Sequence, residues 1–245
     1  GESSMHLLRS MNRDLSAIHH CYQLNVTDIQ LLCAGYLRQT QTQCTVRSGV
    51  LHLLQKYVRF ELYINNQKQV DIVGGTLYEY TSMHIGNHSR INYLLQNTCI
   101  TCFGDCVIEN NSMLCLPAGS TELYIEHRLH IDRKSRMQHI RFTHNNKLHI
   151  MCNDDMILNE SVINTQDLDI TVYSKLFMNL SVMITKNIAI NVLVADLSCI
   201  DSNIRCDQSL IFNVNKGNFV CDQTGILCED GTILFCVKNG TIKIN

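Results

Sequence analysis

The stretch 168–193, LDITVYSKLFMNLSVMITKNIAINVL, decides which fold the sequence predicts. Apolar and polar residues alternate over 168–172, over 180–184 and over 188–193. Alternation with a period of two is typical of a strand that buries one of its two sides. The segments between these runs are too short to hold helices. The stretch therefore predicts a succession of short β-strands.

The same pattern continues in both directions from this stretch. Further alternating runs lie at 60–64, 123–125, 129–131, 140–142 and 148–150, and short apolar runs lie before turn residues at 210–212 and 233–235. Asp230-Gly231 and Asn239-Gly240 are two-residue hairpin signals. Many short strands without intervening helices favour an antiparallel β-sandwich. A β-solenoid is the alternative, but the absence of a fixed repeat length argues against it. We predict a sandwich over 60–245.

The first sixty residues have a different period. Apolar residues recur there at steps of three and four, which is typical of amphipathic helices. Thr27 and Gln30 form a capping box before the second of three such segments. The three stripes are Leu7, Leu8, Met11, Leu15, Ile18 and Tyr22, then Ile29, Leu32, Cys33, Tyr36 and Leu37, then Val46, Val50, Leu53, Leu54, Tyr57 and Val58. The predicted fold class is therefore α+β, with a three-helix bundle over 5–59 before the disulfide-stapled sandwich over 60–245.

Composition excludes several classes of function. The 245 residues carry 20 basic and 22 acidic side chains, for a net charge of −2, and only 17% of residues are charged. A nucleic-acid-binding domain would have a basic surface, so we expect no nucleic-acid partner. No apolar run approaches the length of a transmembrane helix. Because no signal-peptide pattern opens the chain, we expect that any secretion signal has already been removed.

Cysteines and glycosylation motifs indicate the secretory pathway. N-x-S/T sequons occur at roughly twice the frequency expected by chance, at Asn25, Asn87, Asn110, Asn159, Asn179 and Asn239. The 13 cysteines predict disulfide staples if the chain is secreted. They are Cys21, Cys33, Cys44, Cys99, Cys102, Cys106, Cys115, Cys152, Cys199, Cys206, Cys221, Cys228 and Cys236. The odd count implies a free thiol or a bridge to another chain, and the sequence does not give the connectivity.

No arrangement of residues predicts catalysis. The chain has no Walker A, G-x-S-x-G or G-x-G-x-x-G motif, so we expect neither an enzyme nor a cofactor. Cys99-Ile-Thr-Cys102 is a C-x-x-C motif that we interpret as part of a disulfide-knotted loop. The alternative is a cytosolic zinc-binding interaction domain, in which Cys99, Cys102 and Cys106 join His84 or His88. Asp154-Asp155 and Asp167/Asp169 are interpreted as solvated carboxylates.

Several C-terminal segments resemble a known family. They are Ile190-Asn191-Val192-Leu193, Leu197-Ser198-Cys199 and Cys206-Asp207-x-Ser209-Leu210. Weaker similarity extends from Cys115 to Arg136 and includes Cys228 with Cys236-Val237-Lys238. Their order resembles the nairovirus secreted non-structural glycoprotein. That protein is cut from the medium-segment glycoprotein precursor of Crimean–Congo haemorrhagic fever virus and its relatives. The N-terminal helical segment shows no match by residue.

The resemblance implies a virally encoded, secreted and glycosylated protein that acts by binding. Its expected role is to assist the maturation and trafficking of viral envelope glycoproteins. The family also implies host antibodies as partners, and exposure at the host cell or virion surface. The resemblance implies no catalytic residue in this chain. The sequence does not indicate the binding surface, the receptor, the oligomeric state or the viral species.

Overall fold

The structure is a computed structural model that describes residues 22–25, 37–39, 43–47, 60–73, 77–140 and 145–245. The described residues form 26 strands: β1 Tyr22–Asn25, β2 Leu37–Gln39, β3 Gln43–Arg47, β4 Phe60–Ile64, β5 Gln69–Val73, β6 Leu77–Tyr80, β7 Met83–Ile85, β8 Arg90–Tyr93, β9 Cys99–Cys102, β10 Cys106–Ile108, β11 Met113–Leu116, β12 Ser120–Ile125, β13 Leu129–Asp132, β14 Arg136–His139, β15 Lys147–Cys152, β16 Met156–Asn159, β17 Val162–Asn164, β18 Asp167–Val172, β19 Leu176–Asn179, β20 Val182–Val192, β21 Leu197–Ile200, β22 Asn203–Lys216, β23 Phe219–Asp222, β24 Gly225–Cys228, β25 Thr232–Asn239 and β26 Ile242–Ile244. Among these residues no helix is long and apolar enough to cross a membrane.

The strands wind into a parallel β-solenoid with three strands in most coils. The first face consists of β1, β4, β7, β10, β13, β16, β19, β21, β23 and β26 in that order. The second face contains β3, β5, β8, β11, β14, β17 and β24, and the third contains β6, β9, β12, β15, β18 and β25. The long strands β20 and β22 run through both the second and the third face, which joins these two faces into one sheet.

The core is a set of rows in which each inward side chain lies on its counterpart in the next coil. On the second face Ile91, Leu114 and Met137 are fully buried and in register. On the third face Ile150, Ile170 and Ile190 form an equivalent row. Alternating residues point inward and outward along each strand, as the burial pattern of β18 shows. Burial of these rows is the main source of stability.

A ladder of buried hydroxyls lines the corner between the first and second faces. At most steps a backbone N–H donates to the hydroxyl in the next coil, as the N–H of Ser161 does to Ser181 (3.0 Å) and that of Ser181 to Ser202 (3.1 Å). The hydroxyl of Ser181 donates in turn to the carbonyl oxygen of Asn179 (2.9 Å). The other ladder members are Ser89, Ser112, Ser135 and Thr224. The ladder satisfies backbone groups that the turn would otherwise leave buried and unpaired.

Replacing Ser181 with alanine tests this ladder. We expect the free energy of unfolding to fall by about 1–3 kcal/mol, because the buried N–H of Ser161 loses its acceptor. Ser198→Ala is the matched control, since Ser198 points outward from the first face and is only half-buried. Urea denaturation measures both variants. Equal losses of stability in the two would contradict a structural role for the ladder.

The predicted three-helix bundle followed by an antiparallel, disulfide-stapled sandwich is wrong. All described strand pairs are parallel except β2–β3. Inward–outward alternation is common to sandwiches and solenoids, so this pattern could not separate them. The length of a coil also varies: registered residues are 27 apart at Asp132–Asn159 and 20 apart at Asn159–Asn179. The repeat is real, but its varying length hides it from a search for a fixed period.

Part of this variation arises at the corner between the first and second faces. In the earlier coils two consecutive residues have positive φ, such as Asn110 and Asn111. From Glu160 onward a single residue, such as Leu180, has positive φ at the equivalent turn. The turn therefore shortens by one residue partway along the solenoid, while the ladder hydroxyl keeps its position.

The prediction of helices is wrong wherever the structure describes the residues assigned to them. Tyr22, Leu37 and Val46, assigned to three helices, lie in β1, β2 and β3. β1 pairs with β4, and β3 pairs with β5. The remaining residues of the three helical stripes lie outside the described residues, and a domain division between 5–59 and 60–245 stays a prediction.

The two predicted hairpins are corners of the solenoid. The strands flanking Asp230-Gly231 do not pair with each other; both pair with β22. A Cβ at Gly231 would overlap the carbonyl oxygen of Gln208 in the previous coil. Glycine is required there because the backbones of neighbouring coils approach closely.

The described residues contain no disulfide, which corrects the prediction of a stapled fold. All ten described cysteines are free thiols, namely Cys99, Cys102, Cys106, Cys115, Cys152, Cys199, Cys206, Cys221, Cys228 and Cys236. Burial raises the pKa of Cys102 and that of Cys199 to about 12. Such thiols behave as small apolar side chains in the core. Cys21, Cys33 and the side chain of Cys44 lie outside what the structure describes.

Candidate functional site

The structure separates the proposed zinc ligands. Residues three apart in a strand point to opposite sides, so Cys99 faces outward from β9 while Cys102 is buried in the core. Cys106 is also buried, on β10, whereas His84 lies on the outer side of β7 and bonds Glu109 through Nε2 (2.9 Å). Within the described ranges no group of three or more histidine, cysteine or acidic side chains could hold a metal.

Four of the six predicted glycosylation sites share one place in the fold. Asn87, Asn110, Asn159 and Asn179 all lie at the corner between the first and second faces, two residues before a ladder serine. Their side chains bond between coils, as Asn179 Nδ2 does to Asn159 Oδ1 (3.0 Å). The turn therefore gives a folding reason for the N-x-S pattern and for its frequency.

Glycosylation at these positions stays a prediction. Asn239 lies at the exposed end of β25, and Asn25 ends β1. The basic residues Arg133 and Lys134 also lie at the corner between the first and second faces, between β13 and β14, and have positive φ.

Two adjoining depressions on the third face form the best candidate site. The first has a volume of about 300 Å³, and its polar lining residues are Lys147, His149, Asp167, Asp169, Asn187 and Ser209. The second has a volume of about 340 Å³, and its lining includes Asn191, Leu193, Asn213, Asn215, Cys236 and Lys238. Both use outward residues of β20 and β22. We call the two depressions together the polar groove.

Register places the polar residues of the groove in rows that cross the strands. Glu122, His149 and Asp169 are direct neighbours in three successive coils, although Glu122 lies outside the lining of the groove and the row continues with Ala189. Asp167, Asn187 and Ser209 form a second such row. Since neighbouring strands are about 4.8 Å apart, each row presents polar groups at regular short intervals along the solenoid.

Hydrogen bonds between coils hold several of these side chains in place. Asn187 Nδ2 donates to Asp167 Oδ1 (2.8 Å), and Asn213 Nδ2 donates to Asn191 Oδ1 (2.9 Å). Each amide and carboxylate keeps further donors or acceptors beyond these bonds. Tyr173, which is 54% exposed, follows the last registered pair of β18 and β20, Val172–Val192. Its carbonyl oxygen accepts a hydrogen bond from the N–H of Val194 (2.9 Å), which places it beside Leu193 at the end of the second depression. The groove thus combines fixed polar groups with an exposed aromatic ring.

The sequence prediction missed this site. From the sequence alone, Asp167 and Asp169 are predicted to be solvated carboxylates. The sequence predicts no functional role for Lys147 or Asn187. The only signal in the sequence is that the outward positions of successive strands are polar. Without the register, no pattern shows which of them become neighbours.

Comparison of the chain with protein-family models, with curated proteins and with solved structures finds no significant match.

Proposed function

We propose that the chain is a non-catalytic binding protein whose polar groove holds a linear, neutral oligosaccharide. The observation that supports this proposal most directly is that amide and carboxylate groups form rows that repeat from coil to coil across the third face. A linear glycan presents hydroxyl groups at similarly regular intervals, and both amides and carboxylates bond hydroxyls well. Side chains that are already held in place lose little conformational entropy on binding.

The charges of the groove favour a neutral glycan over an acidic one. The first depression contains Asp167, Asp169 and Lys147, and the second adds Lys238. The groove therefore has no excess of positive charge with which to bind a polyanion, and a polyanion would meet two carboxylates in the first depression. The ring of Tyr173 is free to stack on the apolar face of a sugar. The groove is shallow and open, which suits a polymer lying across the sheet better than an enclosed small molecule.

Calorimetric titration with neutral linear hexasaccharides (gluco-, xylo-, manno- and N-acetylglucosamine series) tests the proposal. We expect one series to bind and Tyr173→Ala to weaken that binding about tenfold, which is ~1.4 kcal/mol. Phe177→Ala is the control, because Phe177 points outward from the first face, away from the groove. Failure of every series to bind, or equal weakening by both variants, would overturn the proposal.

Two further outcomes of the same experiment are decisive. Mass spectrometry of the recovered sugar should show it intact, since a shortened sugar would reveal an enzyme. Polygalacturonate should bind more weakly than the neutral ligand at low salt, where repulsion by the groove carboxylates is least screened. Tighter binding of the polyanion would contradict the assignment of a neutral ligand.

We base the proposal on the groove alone. The resemblance to the nairovirus glycoprotein implied a helical bundle and a sandwich, and the described strands form neither. A role in the maturation and trafficking of viral envelope glycoproteins, binding by host antibodies, and secretion to the host cell or virion surface stay predictions from the sequence.

A further inference from the structure

A second cavity lies at the corner between the second and third faces, apart from the polar groove. Its volume of about 360 Å³ lies at the small end of the range for ligand pockets. Its charged lining residues are Lys186, Arg205, Asp207 and Glu229, and its apolar lining includes Ile184 and Leu227. We call it the corner cavity.

The cavity exists because the corner lengthens from coil to coil. Two residues separate the registered positions Ile184 and Asn187. Three residues separate their partners Arg205 and Ser209 in β22, and the register is irregular at this point. Four residues lie between Leu227 and Thr232 in the following coil. Irregularities of this kind re-aim side chains and are frequent beside functional sites.

The lengthened corner brings charged side chains of both signs together without pairing them. Asp207 and Glu229 lie in the lengthened corners, beside Lys186 and Arg205. Within the described part of the chain, none of these four side chains takes part in an ion pair. Two cations and two anions therefore surround one cavity, each able to bind a group of a ligand.

An uncharged hydrogen-bond acceptor of the same cavity also lacks a donor. Gln166 lines the cavity, and its buried side-chain oxygen, Oε1, has no hydrogen-bond partner among the described residues, although a buried acceptor normally has one. The backbone oxygen of Gln166 is bonded by the N–H groups of Lys186 (2.7 Å) and Asn187 (3.0 Å). The backbone is thus fixed, and the side-chain oxygen lacks only a donor.

We propose that the corner cavity binds a small zwitterion, an α-amino acid with an apolar side chain. Lys186 and Arg205 bind its carboxylate, with the guanidinium able to form two parallel bonds. Asp207 and Glu229 bind its ammonium group, which also donates to Gln166 Oε1. Ile184 and Leu227, which are 39% and 51% exposed, contact the apolar side chain and lose exposed surface on binding.

Nuclear magnetic resonance titration of the full chain with L-leucine tests the proposal. We expect saturable shifts at the side-chain amide of Gln166 and at the backbone of Arg205. Three analogues each remove one interaction: leucine methyl ester lacks the carboxylate, 4-methylpentanoate lacks the ammonium group, and N,N,N-trimethyl-leucine lacks the N–H donors. Each analogue should bind at least about tenfold more weakly than leucine.

Two variants with a matched control complete the test. Arg205→Gln and Asp207→Asn should each weaken leucine binding about tenfold, while Arg136→Gln, an exposed arginine of the second face outside the cavity, should leave it unchanged. All three replace exposed side chains, so the fold should survive, and dispersion of the spectrum verifies this. No saturable binding of leucine, or equal binding of leucine and 4-methylpentanoate, would overturn the proposal. Oligosaccharide binding in the groove is measured separately, so either proposal can fail without the other.

Discussion

Replacing Phe212 with alanine should lower the free energy of unfolding by about 3–5 kcal/mol. Phe212 is 1% exposed, and its ring lies 5.8 Å from that of Phe219 and 5.6 Å from that of Phe235. These three rings join strands of the first and third faces across the core. Alanine would leave a cavity that the stacked strands, held at a fixed spacing, cannot close.

The damage should be confined to the C-terminal coils. In a solenoid each coil contacts only its neighbours, so stability is a sum of local terms. Hydrogen exchange of Phe212→Ala should therefore speed up over β21–β26, and much less over β7–β12. Phe177→Ala, which removes an outward ring, is the control and should change exchange little. Uniform acceleration along the whole chain would show that the molecule unfolds as a single unit.

Acidification should destabilise the protein through His139. Burial lowers the pKa of this imidazole from its ordinary value of 6.5 to about 4. The side chain is 1% exposed; its Nδ1 shares a hydrogen bond with the Thr165 hydroxyl (2.7 Å), and its Nε2 has no partner among the described residues. A charged imidazole in this place would be neither solvated nor paired.

The sign of the effect follows from the number of protons that each state binds. Between pH 6.5 and pH 4 the unfolded chain protonates His139 and the folded chain does not, so protons favour unfolding. Stability should fall as pH decreases through this window, by up to about 3 kcal/mol, and should not depend on this group above pH 6.5. Urea denaturation at a series of pH values measures the slope.

Two variants isolate the contribution of His139. His139→Asn keeps a side chain that can bond Thr165 but cannot take up a proton, so the slope between pH 6.5 and pH 4 should decrease. His130→Asn changes a histidine whose side chain is 40% exposed, and the slope should remain. An unchanged slope in His139→Asn would assign the acid sensitivity to other groups.

The sequence allowed the strands to be predicted better than their arrangement. The segment 168–172 falls within β18 and the residues 188–192 fall within β20, and their alternation correctly separates inward from outward residues. The solenoid was weighed as an alternative and rejected because the repeat length varies. The strands β1 to β3 were missed because spacings of three and four also occur by chance among apolar residues in short segments.

Local chemistry determined where the chain bends and which side chains enter the core. The asparagine and serine pairs at the corner between the first and second faces, such as Asn179 and Ser181, can be recognised in the sequence. There they have the pattern of glycosylation motifs. Tertiary structure alone decided which strands are neighbours. Pairing depends on contacts between residues 20 or more positions apart, and alternation within a strand carries no information about them. Both candidate sites arise from that register, since it places Lys147, Asp167 and Asn187 in one groove and gathers the charges of three coils around Gln166.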